Sequence, residues 1–389
     1  MEDTTLAWHI LASSYFDFDA IDRDADADRV PRHFLRHLAG ELDAPIHCPT
    51  APGETAAVSL ADRLAGSIYA DSSMWSMARR ARKELQPGDG VYAAGSTSGI
   101  PLALLCSLFG PRRIKFAIAV TDVQRPKIRL FGWLLALLRT RWMMIVPHSA
   151  MVDVAARGFG RFVGGIMAIN GLTDFDFFRP ADPDHDAIKG TSTDKPTRPL
   201  IASCGTEARD YQLLADAVAD LDADVNVKVC FASPNLTDKT RFTVPDPLPD
   251  NMEIRYFSFA DLRALYQDSD VVVVPLLPNR YAAGMTTVFE AVACSRPVVV
   301  ARSPGVIDEL IDHDLVEWYE MGDREGLRLA IERVLADPVA AEARADKAHA
   351  WVQTHYSATA YLERVFQALE LAFGDESPAR TGDRPTPTP

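Results

Sequence analysis

The sequence predicts an α/β protein built from two domains, each with a parallel sheet that helices cover on both faces. Short apolar runs without polar alternation, such as 143–146 and 271–275, alternate with helical stretches along the chain. Such runs are typical of strands that are buried on both faces of a parallel sheet. A polar stretch at 181–198, with proline, aspartate, lysine and threonine and no period, separates the two series of runs. It therefore predicts a linker between two domains.

The order of these runs gives the domain bounds. With 389 residues, 48% of them hydrophobic, the chain is long enough for two cores. We expect a first Rossmann-like domain at 1–180, a second at 199–356, a helix at 357–373 and a disordered tail at 374–389. The predicted strands are 6–12, 90–94, 114–120, 143–146 and 164–170 in the first domain, and 199–203, 225–231, 252–257, 271–275 and 297–300 in the second.

Composition and charge exclude several classes of protein. A net charge of −14 argues against nucleic acid as a general partner. The five cysteines (48, 106, 204, 230 and 294) show no CxxC or Cys/His metal spacing, which favours reduced thiols in the cytoplasm. We see no basic, signal-like start and no uncharged stretch of about 18 residues, the length that a transmembrane helix requires. The sequence therefore predicts a cytoplasmic protein.

The segment 271–300 predicts an anion-binding βαβ unit. A buried strand is followed by a loop, by Gly284, by a helix that opens with Met285, Thr286 and Thr287, and by a second apolar strand. Free N–H groups and the helix dipole converge at such a helix N-terminus and favour a phosphate there. Glu290 shares the helix face of the threonines, where a carboxylate suits a ribose diol. Alternatively, Thr287 and Glu290 form a capping box.

This segment resembles the nucleotide-sugar site of GT-B glycosyltransferases, above all the large retaining family 4 (glycosyltransferase group 1). That family carries Glu-x7-Glu followed by Ala-x-Ala-x-Gly-x-Pro-Val-Val. Glu290 matches the second Glu, whereas Ala282 stands at the first and Ser295 replaces the Gly. Gly284, Thr287 and Glu290 resemble instead the Gly-x-x-Thr-x-x-Glu of inverting relatives that use UDP-sugars. The residues that match the rest of the family 4 motif are Ala291, Ala293, Pro297, Val298 and Val299.

A second match lies at 170–180, Asn-Gly-Leu-Thr-Asp-Phe-Asp-Phe-Phe-Arg-Pro, which resembles the family segment before the interdomain linker. The resemblance implies a GT-B fold: two facing Rossmann-like domains with a cleft between them and a C-terminal helix that crosses back to the first domain. It also implies transfer of a sugar from a nucleotide-diphosphate-sugar to an acceptor hydroxyl of a glycan, a lipid-linked molecule or a small molecule. No metal and no other cofactor is expected, and retention follows from the family's larger branch.

The resemblance also assigns roles in the second domain. Arg209 takes the place of a family cation on the donor diphosphate, since a guanidinium suits that group; alternatively it forms a surface ion pair with Asp210 or Asp216. Phe257 and Ser258 lie at the end of a strand near which relatives hold the nucleobase, and the alternative for the Phe257 ring is packing at the strand end.

Candidates in the first domain lie after its strands. Asp122 stands where retaining relatives often carry a histidine, so it either acts as a base or orients the acceptor, or it caps the next turn. Arg32 and His33 begin a basic cluster that either meets the acceptor or a phosphate, or neutralises the acidic loop before it. That loop carries three alternating aspartates; we interpret it as solvated and assign no metal. The aspartates are Asp24, Asp26 and Asp28.

The basic, tryptophan-containing stretch 124–142 has two interpretations. As an amphipathic helix it can rest on an anionic bilayer, which would place the protein at the inner face of the membrane. Alternatively, it packs on the sheet with a solvated basic rim. Two other functions stay open beside the transferase: a GT-B sugar-nucleotide epimerase, and a degenerate, non-catalytic partner of an active transferase. Ala282, Asp122 and the lack of a glycine-rich loop after the first strand motivate the last.

Overall fold

A computed structural model describes residues 7–51, 58–121, 123–160, 163–169, 171–181, 198–221, 223–231, 243–279 and 283–373. The chain forms two compact units. The first unit comprises Met1–Asp22, Arg32–Asn170 and Tyr361–Pro389, and the second comprises Arg23–Pro31 and Gly171–Ala360. The predicted linker, apart from residues 181 and 198, and the predicted tail at 374–389 lie outside the described residues.

The first unit is built on a six-stranded parallel sheet with the order β2-β1-β3-β4-β5-β6. Its inner strands are buried, three of them completely, because both faces are covered. The strands are β1 Trp8–Leu11, β2 Ile46–His47, β3 Gly90–Ala93, β4 Lys115–Ala119, β5 Trp142–Val146 and β6 Gly165–Ala168.

Two apolar clusters cover the two faces of this sheet. One joins Leu11, Val91 and Phe116 to the helices that follow β2 and β3. The other joins Trp8 and Ile10 to the helix Phe34–Leu42 and to the final helix. The final helix thus packs in the core of the first unit through residues such as Val365. The helices are α1 Phe18–Asp26, α2 Phe34–Leu42, α3 Leu60–Ile68, α4 Ser72–Ala81, α5 Ser96–Phe109, α6 Pro126–Leu137, α7 Ala150–Phe159 and, at the end of the chain, α14 Ala358–Phe373.

The second unit is a six-stranded parallel sheet with the order β12-β11-β10-β7-β8-β9. Counted within the unit, this is the strand order of dinucleotide-binding folds, in which connections run in opposite directions from the first and fourth strands. Here those strands are β7 and β10, which pair directly. The strands are β7 Leu200–Cys204, β8 Asn226–Cys230, β9 Met252–Arg255, β10 Val271–Val274, β11 Val298–Ala301 and β12 Glu317–Tyr319.

The helices of the second unit surround one large core. All four valines of β10 are 0% exposed, which explains why this strand shows no polar alternation. Residues 324–356 form two helices, because Asp337 caps the second and Pro338 occupies its first turn. The helices are α8 Tyr211–Ala219, α9 Phe259–Asp268, α10 Met285–Ala293, α11 Val306–Asp312, α12 Arg324–Ala336 and α13 Pro338–Tyr356.

All five cysteines are free thiols, as the scattered spacing predicts. Among the described residues, no helix combines the length and the apolar character needed to cross a bilayer.

Candidate functional site

The N-terminus of α10 lies at the carboxyl end of β10, next to the point where the second sheet changes direction. Gly284 is the N-cap of α10 and has φ 84°, a left-handed conformation that glycine adopts without strain. A Cβ at this position would lie 2.8 Å from Val274 Cγ1 and 3.2 Å from Leu276 Cδ2. The glycine therefore lets the helix start against the strand end, where ligands bind in open α/β sheets.

Arg209 lies at this helix N-terminus. It follows β7, and its backbone bridges to Leu276 after β10. Its guanidinium Nε donates to the Cys204 carbonyl at 2.8 Å, Nη1 donates to the Glu207 carbonyl at 2.8 Å, and Nη2 donates to Thr287 Oγ1 at 3.0 Å. Three hydrogen bonds thus hold a half-buried cation beside the first turn of α10, where an anion is already favoured.

The alternative for Arg209, a surface ion pair, is wrong. Within the described part of the chain, Arg209 forms no salt bridge. Asp210 instead caps α8 by accepting from the Leu213 amide at 3.1 Å, and Asp216 accepts from Gln212 at 2.8 Å. Arg209 therefore lies beside the N-terminus of α10, and its contact with the donor diphosphate stays a prediction.

The capping-box interpretation of Thr287 and Glu290 is also wrong. The N-cap is Gly284, and no side chain caps the helix. Thr287 Oγ1 instead accepts from Arg209 and donates to the Cys204 carbonyl at 3.3 Å. Among the described residues, no side chain accepts from the amides of the first turn of α10, where Met285 is half-buried and Thr286 is exposed.

Glu290 lies one turn further along α10 and is only 8% exposed. Its Oε2 accepts from the Tyr266 hydroxyl at 3.0 Å. Burial raises the pKa of this carboxyl to about 8, and the Tyr266 and Arg209 contributions lower it less. The carboxyl is therefore mostly neutral near pH 7. Since it is buried one turn beyond the helix N-terminus, its contact with a ribose stays a prediction.

The raised pKa of Glu290 predicts a pH dependence of stability. The folded state binds a proton that the unfolded state releases above its usual pKa of 4.5. Stability should therefore fall as pH rises from about 4.5 to about 8 and then level off. Glu290→Gln, which mimics the neutral carboxyl, should remove this component from melting temperatures measured across that range. Asp312→Asn, in the same unit, is the control; an unchanged slope in Glu290→Gln would contradict the raised pKa.

The two nucleobase candidates lie at the end of β9. The Phe257 ring is 4% exposed and packs in the core of the second unit, with the Arg255 guanidinium 4.0 Å from its centroid. Ser258 is the N-cap of α9: its hydroxyl accepts from the Asp261 amide at 3.2 Å and donates to the Asp261 carboxylate at 2.7 Å. Both side chains thus have structural roles, and contact with a base through the backbone stays a prediction.

In the first unit, the basic cluster pairs with acidic residues. Arg32 lies 3.5 Å from Asp22, and Arg36 contacts Asp22 at 2.8 Å. His33 is the N-cap of α2, and its Nδ1 accepts from the Leu35 amide at 3.2 Å. Burial lowers the pKa of His33 to about 4, so this side chain is neutral at pH 7. The arginines thus pair with the acidic residues before them, as the neutralisation alternative predicts. An acceptor role for Arg32 and His33 stays a prediction.

The acidic stretch is not the solvated loop that the sequence predicts, because Asp24 and Asp26 lie in α1 and Asp28 forms ion pairs. The Asp28 carboxylate forms a bidentate ion pair with Arg263, with N–O distances of 2.7 and 2.9 Å. It forms a second bidentate pair with Arg179, with N–O distances of 3.1 and 3.0 Å. Asp24 pairs with Arg29 on the surface. One aspartate of the alternating series is thus a structural bridge in the second unit, which its spacing could not indicate.

Two decisive sequence positions lie outside the described residues. These are Asp122, the candidate base, and Ala282, which stands at the first Glu of the family motif. One polar residue that the sequence interpretation passed over is His148, which follows β5 and is 3% exposed. Neither of its ring nitrogens has a hydrogen-bond partner among the described residues. The available signal was a histidine immediately after a buried strand, at the carboxyl edge where sites form.

The basic stretch forms helix α6, which buries one apolar face and exposes another, and a cavity lined by cationic side chains follows it. α6 buries Ile128, Phe131 and Leu135, as the packing alternative predicts. Its other face exposes three large apolar side chains. These are Leu130 (57% exposed), Trp133 (49%) and Leu137 (64%). A cavity of about 620 Å³ follows at the end of the helix, and its wall carries five cations: Arg112, Arg113, Lys115, Arg139 and Arg141.

Residues 198–337, most of the second unit, match the family model described as glycosyl transferases group 1. No curated protein matches the sequence. The match covers the strands β7 to β12 and the whole site around Arg209 and α10.

Several solved structures share the fold of this protein over nearly the whole chain. Sucrose-phosphate synthase from Thermosynechococcus elongatus superposes with a TM-score of 0.66 and 15% identity, covering 94% of this chain and 99% of that one. HepE of Anabaena in complex with UDP-glucose gives 0.63 and 15%, with coverage of 93% and 99%. An α,α-trehalose-phosphate synthase (UDP-forming) from Burkholderia vietnamiensis gives 0.62 and 13%, with coverage of 95% and 100%. The chain therefore has the GT-B fold, and its residues 198–337 match the glycosyl transferases group 1 family.

Proposed function

We propose that this protein is a glycosyltransferase that moves a sugar from a UDP-sugar to an acceptor hydroxyl, with the diphosphate of the donor at the N-terminus of α10. One observation carries the proposal: Arg209 is held 3.0 Å from Thr287 in the first turn of that helix, whose amides have no side-chain cap. A fixed guanidinium and free backbone N–H groups at one point are suited to a diphosphate.

Two further points favour UDP over other nucleotides. HepE has been crystallised with UDP-glucose and with UDP, and the trehalose-phosphate synthase is UDP-forming. The spacing of Gly284, Thr287 and Glu290 resembles the Gly-x-x-Thr-x-x-Glu of relatives that use UDP-sugars. The same spacing occurs in inverting relatives, whereas the family 4 resemblance implies retention. We propose retention, which the anomeric configuration of the product, read by NMR, would test.

The chemistry requires stabilisation of negative charge on the leaving group. The bond between the sugar C1 and the diphosphate oxygen breaks, and its electron pair goes to the diphosphate as C1 bonds to the acceptor oxygen. In this proposal, Arg209 and the α10 amides stabilise that charge without a metal ion. We assign the main part of the rate enhancement to this stabilisation. Asp122, after β4, is the proposed group that receives or directs the acceptor proton.

A nucleotide panel tests the donor class. We expect UDP to raise the melting temperature more than GDP, dTDP or ADP at equal millimolar concentration. A ligand that binds only the folded state stabilises it by about 2.7 kcal/mol at 100 times its Kd. Transfer from UDP-glucose and other UDP-sugars to candidate acceptors would follow. A larger shift with GDP, or no shift with any nucleotide, would contradict the proposed donor.

We also propose that the acceptor is lipid-linked and that α6 meets an anionic membrane surface. Between residues 111 and 142 the chain has eight arginines and lysines and one carboxylate, against a net charge of −14 overall. Exposed Trp133 and Leu137 beside these cations match the composition of interfacial helices.

Vesicle flotation tests the membrane contact. The protein should float with phosphatidylglycerol vesicles and not with phosphatidylcholine vesicles, and salt should weaken binding because it screens charge. Trp133→Ser with Leu137→Ser should abolish flotation. Val339→Ser removes an apolar side chain of the second unit that is even more exposed, at 78%, and should leave flotation unchanged. Equal flotation of both variants would contradict the proposed contact.

A further inference from the structure

Three metal-binding side chains meet in the first unit. His9 lies on β1, His47 on β2 and Glu84 in the turn after α4, and one ligand atom of each lies within 4.8 Å of the other two. His9 is buried, His47 is half-buried and Glu84 is exposed. No other group of three such residues occurs among the residues that the structure describes.

Strand register brings the two histidines together. β1 and β2 pair in parallel, with Leu11 opposite His47. The side chains of paired residues lie on the same face of the sheet, so Leu11 and His47 share a face. His9 is two residues before Leu11 and therefore lies on that face as well. The result is a diagonal pair in which His9 Nδ1 and His47 Nε2 are 3.0 Å apart. Two nitrogens on a tetrahedral Zn²⁺, each about 2.0–2.1 Å from the ion, are about 3.3 Å apart.

A fourth residue fixes the orientation of His9. Asp89, just before β3, has its Oδ2 3.5 Å from His9 Nε2, the ring nitrogen that faces away from His47. Asp89 is itself held by the Ala7 amide at 3.0 Å and the Gln86 amide at 2.7 Å. A carboxylate on the second nitrogen of a histidine is the usual support for a metal ligand, because it fixes the tautomer and the ring orientation.

We propose that His9 Nδ1, His47 Nε2 and the Glu84 carboxylate bind a Zn²⁺ ion, with Asp89 as the positioning residue behind His9. Two imidazoles and a carboxylate form a common zinc ligand set that leaves a fourth position for water. The ion would join the two-residue edge strand β2 to β1 and to the end of α4, so its role is to stabilise the first unit. All its ligands belong to that unit, whereas Arg209 and α10 belong to the second.

Zinc titration of the full chain, after chelator treatment and desalting, tests the site. Isothermal titration calorimetry should give one tight Zn²⁺ per chain, and Zn²⁺ should raise the melting temperature. Co²⁺ in place of Zn²⁺ should give the visible absorption of a four-coordinate site. His47→Gln and Glu84→Gln should each weaken Zn²⁺ binding at least 10-fold, and Asp89→Asn should weaken it about 10- to 100-fold.

The control is His37→Gln, which removes a half-buried histidine of the same unit outside the cluster and should leave binding unchanged. Because His9 is 6% exposed, its substitution risks the fold, so the His47 and Glu84 variants carry the test. No stoichiometric binding by the wild-type chain would overturn the proposal. So would equal affinities of His47→Gln and wild type, since the two histidines would then only hydrogen bond to each other. Neither outcome depends on nucleotide binding or sugar transfer.

Discussion

Replacing Arg209 with alanine is expected to weaken UDP binding by about 10- to 150-fold. Hydrogen bonds to charged groups contribute about 1.5–3 kcal/mol, and each 1.4 kcal/mol is tenfold in affinity. The guanidinium is already fixed by the Cys204 and Glu207 carbonyls and by Thr287, so little side-chain entropy is lost on binding. Calorimetric titration with UDP measures the change, and kcat/KM for transfer should fall at least as much if the same cation stabilises the leaving group.

Two further variants at this site separate the effect of charge from that of structure, and a third variant elsewhere in the unit is the control. Arg209→Lys keeps the charge but not the planar fork, so it should have an intermediate affinity. Thr287→Val removes the hydroxyl that accepts from Arg209 and should have a smaller effect than Arg209→Ala. Arg302→Ala removes an exposed arginine of the same unit, which pairs with Asp308, and should leave the Kd unchanged. A wild-type Kd in well-folded Arg209→Ala would remove the proposed diphosphate site.

Replacing Asp28 with alanine is expected to destabilise the second unit by about 2–4 kcal/mol. The reason is Arg263, whose side chain is 6% exposed and whose two-pronged ion pair with Asp28 would be lost. Removing one partner of a buried pair typically costs about 3–5 kcal/mol, because the other charge is left buried. Asp28 itself is one-third exposed, and the Phe177 carbonyl at 3.2 Å and ring at 4.4 Å would still contact Arg263. The expected cost is therefore somewhat lower.

Urea unfolding, followed by circular dichroism and by tryptophan fluorescence, measures this loss. Asp24→Ala is the matched control on the same segment, since its pair with Arg29 is exposed on both sides and should contribute less than about 1 kcal/mol. Equal midpoints for the two variants would show that Asp28 does not stabilise the unit.

The same pair predicts an acid dependence. Partial burial alone would raise the pKa of Asp28, but the hydrogen bonds and charges of Arg263 and Arg179 hold it well below its usual value of 3.8. The stabilisation is therefore complete above that value and is lost as pH falls towards the lower pKa of the folded state. The difference in urea midpoint between wild type and Asp28→Ala should stay constant from pH 7 to about pH 5 and shrink below pH 4.

Much of the fold was predictable because it depends on local pattern. The four buried valines of β10 could hardly be read as anything but an inner parallel strand, and the structure has one there. Gly284 before two threonines gave the start of α10, since a left-handed glycine is a local requirement. Arg209 could be placed by resemblance because its distance along the chain from β7 is short. These features need only a few neighbouring residues to specify them.

The sequence by itself thus determined two parallel α/β units, the glycine-started helix and the arginine beside it. Only the tertiary structure decided which polar side chains lose contact with water and which distant residues meet. Glu290 is buried against Tyr266, Asp28 pairs with Arg263 across 235 positions, and the β1–β2 register brings His9 to His47. Periodicity reports which face of an element a residue occupies. It does not report which other element covers that face. The covering element determines the pKa of a buried carboxyl, which opposite charge an ionic group meets, and the distance between two metal ligands.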